Sequence, residues 1–211
     1  MSKITIIGLG LIGGSIGLGL KKAASSNVEV FGYDGELDVG KRAVKRGAVD
    51  KAPWKLRDAL EGANMVILAT PVLAIREMLE TIADMIPPGC VVTDTGSTKG
   101  AVMTWAEEYL PKEVSFVGGH PMAGKELAGI ENADADLFEG ARYVVIPGRN
   151  ASKEAAQSVI DLVDLLGARP FFIDAEEHDS YVAAVSHMPF ILSTALVSTA
   201  ANSPGWREIS K

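Results

Sequence analysis

Cysteine is nearly missing: Cys90 is the one thiol in 211 residues. A single thiol closes no internal disulfide, and one cysteine with three dispersed histidines offers no ligand spacing for a metal ion. Cys90 opens the apolar run Cys90-Val91-Val92 and reads as a core residue. Positive charge is also short. Twenty Lys and Arg stand against 27 Asp and Glu, a net charge of −7. That balance argues against a nucleic-acid partner, which calls for a basic surface. Internal repeats and low-complexity tracts are lacking too. What the chain has is ordinary globular material, 47% hydrophobic and 22% charged, enough to build a packed core.

One uncharged stretch, 4–20, follows Lys3 as the apolar part of a signal peptide would. Gly8, Gly10, Gly13, Gly14, Gly17 and Gly19 spoil it as an apolar helix. Lys21 and Lys22 then occupy the place of a small, neutral cleavage region. No other segment is expected to reach the ~20 apolar residues of a membrane span. The expectation is a soluble, cytoplasmic protein without a membrane partner.

Short apolar runs alternate with helical stretches, the pattern of βαβ units around a parallel sheet. Strands are expected over 4–7, 28–33, 65–69, 90–93, 115–117, 143–146 and 170–173. Helices are expected over 11–24, 37–46, 72–85, 97–109 and 153–166, with stops at Gly47, Pro87-Pro88 and Gly167. After Asp174 the pattern changes to one mostly apolar helix over 175–201, kinked at Pro189. The fold class is thus α/β: a Rossmann-type, doubly wound, mostly parallel sheet over 1–174, followed by the start of an all-helical second domain over 175–211. That second part is too short to stand as a domain. A long apolar helix with nothing over it implies further sequence or a partner chain.

The first strand runs into Gly8-Leu9-Gly10-Leu11-Ile12-Gly13, a G-x-G-x-x-G between a strand and a helix. The first glycine permits the tight turn, the second lets a pyrophosphate approach the backbone, and the third lets helix and strand pack. Free N–H groups at the helix start, around Leu11 and Ile12, suit the anion. The second strand ends at Asp34, 21 residues after Gly13, the spacing of an acid that accepts ribose hydroxyls. A carboxylate there repels a 2′-phosphate and favours NAD over NADP. Asp34 is otherwise a turn residue before Gly35. Gly14, Gly17 and Gly19 read as close-packing positions. Thr70-Pro71 follows the third strand, beside the dinucleotide; Thr70 can alternatively cap the next helix, with Pro71 at its first position.

Two further strand ends carry chemistry. One leads into Asp94-Thr95-Gly96-Ser97-Thr98-Lys99-Gly100. Thr95 or Ser97 can be a helix cap. Lys99, a cation in a helix's first turn, opposes the macrodipole and calls for an anion, either a ligand or Asp94. The other leads into Gly118-Gly119-His120-Pro121-Met122-Ala123-Gly124-Lys125-Glu126. Pro121 biases His120 to an extended backbone and so to presentation at the strand's carboxyl end. An imidazole there suits proton transfer during hydride removal. His178 and His187 lie nine residues apart on the late helix, on opposite faces at ~100° per residue. His187, just before Pro189, is the better candidate to face the cleft; its alternative is a buried, hydrogen-bonded histidine.

These segments, with Gly14-Ser15 and Ser186-His187-Met188-Pro189, resemble the prephenate/arogenate dehydrogenase family of tyrosine biosynthesis. They occur in family order along nearly the whole chain. The resemblance implies NAD-dependent oxidative decarboxylation of prephenate to 4-hydroxyphenylpyruvate, or of arogenate, by a homodimer joined through its helical domain. It implies a neutral His120 that accepts a hydrogen bond from the ring hydroxyl. Ser97 would orient that hydroxyl and touch the nicotinamide, and His187, Lys125 and Glu126 would help hold the substrate. Lys125 and Phe190 depart from the family pattern. Lys211 stands where the family has a carboxylate-binding arginine, and a lysine lacks the bidentate fork. The other readings are a β-hydroxyacid or imine dehydrogenase, and an NAD-binding regulatory module without turnover.

Overall fold

The computed structural model describes residues 2–23, 28–202 and 205. Seven strands form one sheet: β1 (Ser2–Ile7), β2 (Val28–Tyr33), β3 (Met65–Leu68), β4 (Val91–Asp94), β5 (Ser115–Pro121), β6 (Arg142–Pro147) and β7 (Arg169–Phe172). Their order is β2-β1-β3-β4-β5-β6-β7, and every neighbouring pair is parallel except β5 with β6. The chain reverses direction across the sheet between β1 and β3. In doubly wound sheets ligands sit beyond the carboxyl ends of the strands at such a point.

Helices α1 (Leu11–Ala23), α2 (Leu37–Lys45), α3 (Leu56–Leu60), α4 (Val72–Ile82), α5 (Gly100–Tyr109) and α6 (Lys153–Leu165) cover the sheet. Two apolar cores result. Ile16 and Leu20 of α1 and Val159 and Leu162 of α6 join one face of the sheet. Ile75 and Leu79 of α4 and Val102 of α5 join the other. Strand β3 is buried along its whole length, as a central parallel strand covered on both faces must be. The expected glycine stops hold, with Gly47 and Gly167 in the left-handed region. Cys90 lies in the second core, where burial pushes its thiol up to about 12.

Several boundaries differ from expectation. The helix expected over 97–109 begins only at Gly100, and the strand expected over 115–117 runs on to Pro121. The extension arises because β6 pairs with β5 through His120 and Pro121, a long-range contact that local propensity does not register. The five-residue α3 carries too short a pattern to stand out from a loop.

Beyond β7 lie α7 (Ala175–Val182), a π-helical turn (Ala183–His187) and α8 (Met188–Asn202). The irregularity is thus a widened turn just before Pro189. The proline ring has no N–H to donate and clashes with the carbonyl four residues back, so the preceding turn opens. The continuous helix Ala175–Asn202 is 28 residues long and long and apolar enough, by length and composition, to cross a membrane. That corrects the expectation that no later segment reaches such a length. Residues 183–202 contain no Asp, Glu, Lys or Arg, but serines and threonines spaced through them make the run less conspicuous. Phe190, Ile191, Leu192, Leu196 and Val197 of α8 are all exposed.

Candidate active site

Strand β1 leaves the sheet at Gly8, whose φ of +91° lies in the left-handed region. A Cβ on Gly13 would stand 1.9 Å from the Gly8 carbonyl oxygen, so the third glycine seats α1 against the turn. Gly10 is the opposite case: nothing lies within 4 Å of its Cβ position. Its backbone faces a cleft of about 420 Å³ lined by Gly8, Gly10, Asp34, Thr70 and Pro71, among others. Leu11 and Ile12 start α1 at this turn, and Ile12 packs on the core. Gly17 is a close-packing position as expected: its Cβ would meet the Ala48 carbonyl oxygen at 2.2 Å.

Asp34 lines the same cleft. One carboxylate oxygen accepts from the Leu9 N–H at 2.8 Å, and the other from the Glu36 N–H at 3.0 Å. The acid braces the glycine turn and begins the turn into α2. Thr70 does not cap α4. The cap residue is Pro71, which has no side-chain bond to offer. The Thr70 hydroxyl is buried with no hydrogen-bond partner among the described residues. An orphan hydroxyl, a carboxylate and an open glycine backbone around one cleft fit a dinucleotide.

One and two strands across from β3, about 5 and 10 Å away by ordinary strand spacing, the loops after β4 and at the end of β5 are tied together. Lys99 and Asp94 are both fully buried and form an ion pair. The Lys99 ammonium also donates to the Gly119 carbonyl at 2.6 Å. Asp94 further accepts from the N–H groups of Gly96 at 2.8 Å and Gly119 at 3.1 Å. The anion that Lys99 requires is therefore Asp94. Buried charges are tolerated only when bonded in this way, and the knot fastens the Ser97 loop to the residue before His120.

Ser97 is exposed, and neither it nor Thr95 caps α5. The cap comes from a distant element: Asp179 of α7 accepts from the N–H groups of Lys99 at 2.7 Å and Gly100 at 2.9 Å. An acid at the positive end of α5 offsets the misplaced lysine. Ser97 is thereby left free at the surface of the site.

His120 is half-buried in β5, paired with Val144 of β6. Burial pushes its imidazole pKa down to about 3; the Lys99 cation and the proximity of His178 and His187 act in the same direction, and Asp179 opposes them. It is neutral throughout the physiological range. Its Nδ1 lies 3.0 Å from Nε2 of His178, with the two rings edge to face. His178 is 2% exposed, and its Nδ1 lies 2.8 Å from Asp179 Oδ1.

The histidine of the late helix that touches His120 is therefore His178, not His187. His187 is half-buried and near enough to His120 to contribute to its lowered pKa, without a hydrogen bond to it. The two-face argument assumed a regular α-helix between them, and the π-turn breaks that phase. Lys125 is engaged elsewhere, in an ion pair with Asp134 at 2.8 Å. Glu126 is exposed. Lys211 lies outside the described residues.

Residues 16–171 match the family model described as "Prephenate dehydrogenase, nucleotide-binding domain". The chain is 42% identical over 199 residues to a prephenate dehydrogenase of Lactococcus lactis subsp. cremoris, covering 93% of this chain and 53% of that protein. A crystal structure of prephenate dehydrogenase from Aquifex aeolicus, in complex with hydroxyphenyl propionate and NAD+, superposes with a TM-score of 0.89 at 30% identity. That match covers 97% of this chain and 71% of the other. The Synechocystis arogenate dehydrogenase matches with a TM-score of 0.84 at 32% identity, over 96% and 70% of the two chains. The chain spans about half the length of the curated relatives it matches.

Proposed function

This chain belongs to the prephenate dehydrogenase family, and we propose that it serves the NAD-dependent oxidative decarboxylation of prephenate to 4-hydroxyphenylpyruvate. The observation that carries the reading is the neutral His120 imidazole at the carboxyl end of β5, in the same row of strand ends as the glycine cleft. Bound NAD+ supplies the hydride acceptor. Gly8, Gly10, Gly13 and the start of α1 hold its pyrophosphate, and Asp34 its ribose. Thr70 and Pro71 wall the cleft.

His120 accepts a hydrogen bond from the ring hydroxyl and polarises it as hydride leaves the same carbon. Carbon dioxide departs, and the ring becomes aromatic. The hydroxyl proton, held by His120 in the transition state, stays with the product phenol, so no net proton is released. Ser97, exposed in the loop that Lys99 and Asp94 tie to the residue before His120, would orient the hydroxyl. Most of the protein's task is alignment, because aromatisation supplies driving force.

His187, Glu126 and residues 175–211 contribute to the substrate side and to a homodimer, in a cytoplasmic enzyme. Lys125 would have to exchange Asp134 for a substrate carboxylate to serve as a cation there. Arogenate, which shares the reacting ring, is the alternative substrate, favoured by the likeness to the Synechocystis enzyme.

NADH formation measured with prephenate and with arogenate tests the reading. His120→Asn is expected to lower turnover on the order of 10²–10⁴-fold while NAD+ affinity by calorimetry stays unchanged. Full turnover in that variant overturns it.

A further inference from the structure

We propose that Asp179 and His178 are positioning residues that hold the His120 ring in the tautomer protonated on Nδ1, leaving the Nε2 lone pair for the substrate hydroxyl. The proposal rests on the role given to His120 above and adds what selects its working form.

The chain of donors starts at Asp179. Its carboxylate accepts two backbone N–H bonds at the start of α5. Burial pushes this carboxyl up, but those two donors and the His178 ring outweigh burial and hold it below its ordinary value. An ionised carboxylate only accepts. The His178 nitrogen at 2.8 Å, Nδ1, must therefore donate. A neutral imidazole carries one N–H, so His178 presents a bare Nε2 toward His120. Across the 3.0 Å gap, His120 Nδ1 supplies the proton. Its own Nε2 is then an acceptor. The opposite direction would set the Nδ1 lone pair of His178 against a carboxylate.

The anchoring is not local to α7. Lys99 supplies a backbone N–H to Asp179, while its ammonium holds Asp94 and the Gly119 carbonyl. The serine loop, the histidine strand and the helical segment are therefore one bonded unit, and displacing α7 would release the His120 tautomer. The carboxylate is also the next bonded group beyond His178 to meet any positive charge that develops on His120. No proton needs to leave the relay: each ring keeps its Nδ1 proton through the cycle.

Long-range ¹H–¹⁵N correlation on the ¹⁵N-histidine-labelled chain reads both tautomers directly, with the His120→Asn and His178→Gln spectra providing assignment. The expected result at neutral pH is a protonated Nδ1 and a bare Nε2 on both rings. A His120 protonated on Nε2, or a His178 protonated on both nitrogens, overturns the proposal. In His178→Gln, His120 is expected to populate both tautomers. Turnover with prephenate is expected to fall on the order of 10²-fold through kcat, the direction seen when a catalytic imidazole is held in the wrong tautomer. KM, NAD+ affinity and the melting temperature should change little. A single unchanged His120 tautomer with unchanged kcat in that variant also overturns the proposal. Should the variant not fold, the parent spectrum decides alone. Retained turnover in His120→Asn would instead remove the functional reading and leave the tautomer result standing.

Discussion

His120 links stability to acid as well as to chemistry. Its folded-state pKa is pushed down to about 3, chiefly by burial, while an unfolded histidine titrates near 6.5. Between those values the unfolded chain binds a proton that the folded chain refuses. Stability therefore rises with pH across that window and falls on acidification from about 6.5 toward 3; above 6.5 this residue contributes no slope. Lys99, His178, His187 and Asp179 share its surroundings. Asp179, whose pKa is held low, loses its stabilising contribution as pH falls through the acid range. The two contributions are separable by substitution. Urea midpoints at pH 7 and pH 5 should differ less in His120→Asn than in the parent, because asparagine can still donate to His178 but does not titrate. Equal differences would show that His120 is more solvated than its burial indicates. At this scale the sequence was partly legible. His120 stood out because Pro121 extends its backbone and two glycines precede it. His178 did not stand out, since its contact is 58 residues away in sequence and depends on a helix phase that no motif encodes.

Helix α5 shows how one element can be stabilised from outside its own segment. Its first turn has no acidic residue and no side-chain cap of its own, and it begins beside a buried lysine. Asp179 supplies what is missing. Asp179→Ala should cost about 1–2 kcal/mol, the upper part of the range for a lost cap, read as a lower melting temperature. Hydrogen exchange should accelerate at the amides of Lys99 and Gly100 and leave those of α6, capped by its own Ser152, unchanged. Unaltered exchange at Lys99 and Gly100 would mean that water replaces the carboxylate without loss. The same element explains the misplaced helix start: Ser97 looks like a cap because serine is a good one, but the backbone cannot turn helical until Asp94 has gathered Gly96, Lys99 and Gly119. Strand centres, glycine stops and the cofactor turn were legible because each rests on local periodicity or on one backbone constraint. The extended end of β5 and the start of α5 were not, because pairing partners from β6 and α7 set them.

At the scale of the molecule, the sheet and its two cores are complete, yet α8 is apolar on every side and exposed. A helix of this kind is buried in a protein core or a membrane. Its junction with the sheet favours protein. Glu176, Glu177 and Asp179 open α7, and Asp179 is bonded to α5. The helix therefore starts from a charged end docked on α5 next to His178, the partner of His120, and a substrate domain or second copy laid on it would lie beside that pair. We expect the chain to associate as its concentration rises, measured by sedimentation velocity. The double variant Phe190→Lys, Leu196→Lys changes two side chains that are 73% and 72% exposed. It should remain monomeric at the same concentrations and keep its NAD+ affinity, because neither residue lines the glycine cleft. A parent chain that stays monomeric, or that binds neutral lipid vesicles through this helix as readily as it self-associates, would count against the homodimer and leave the dinucleotide site untouched.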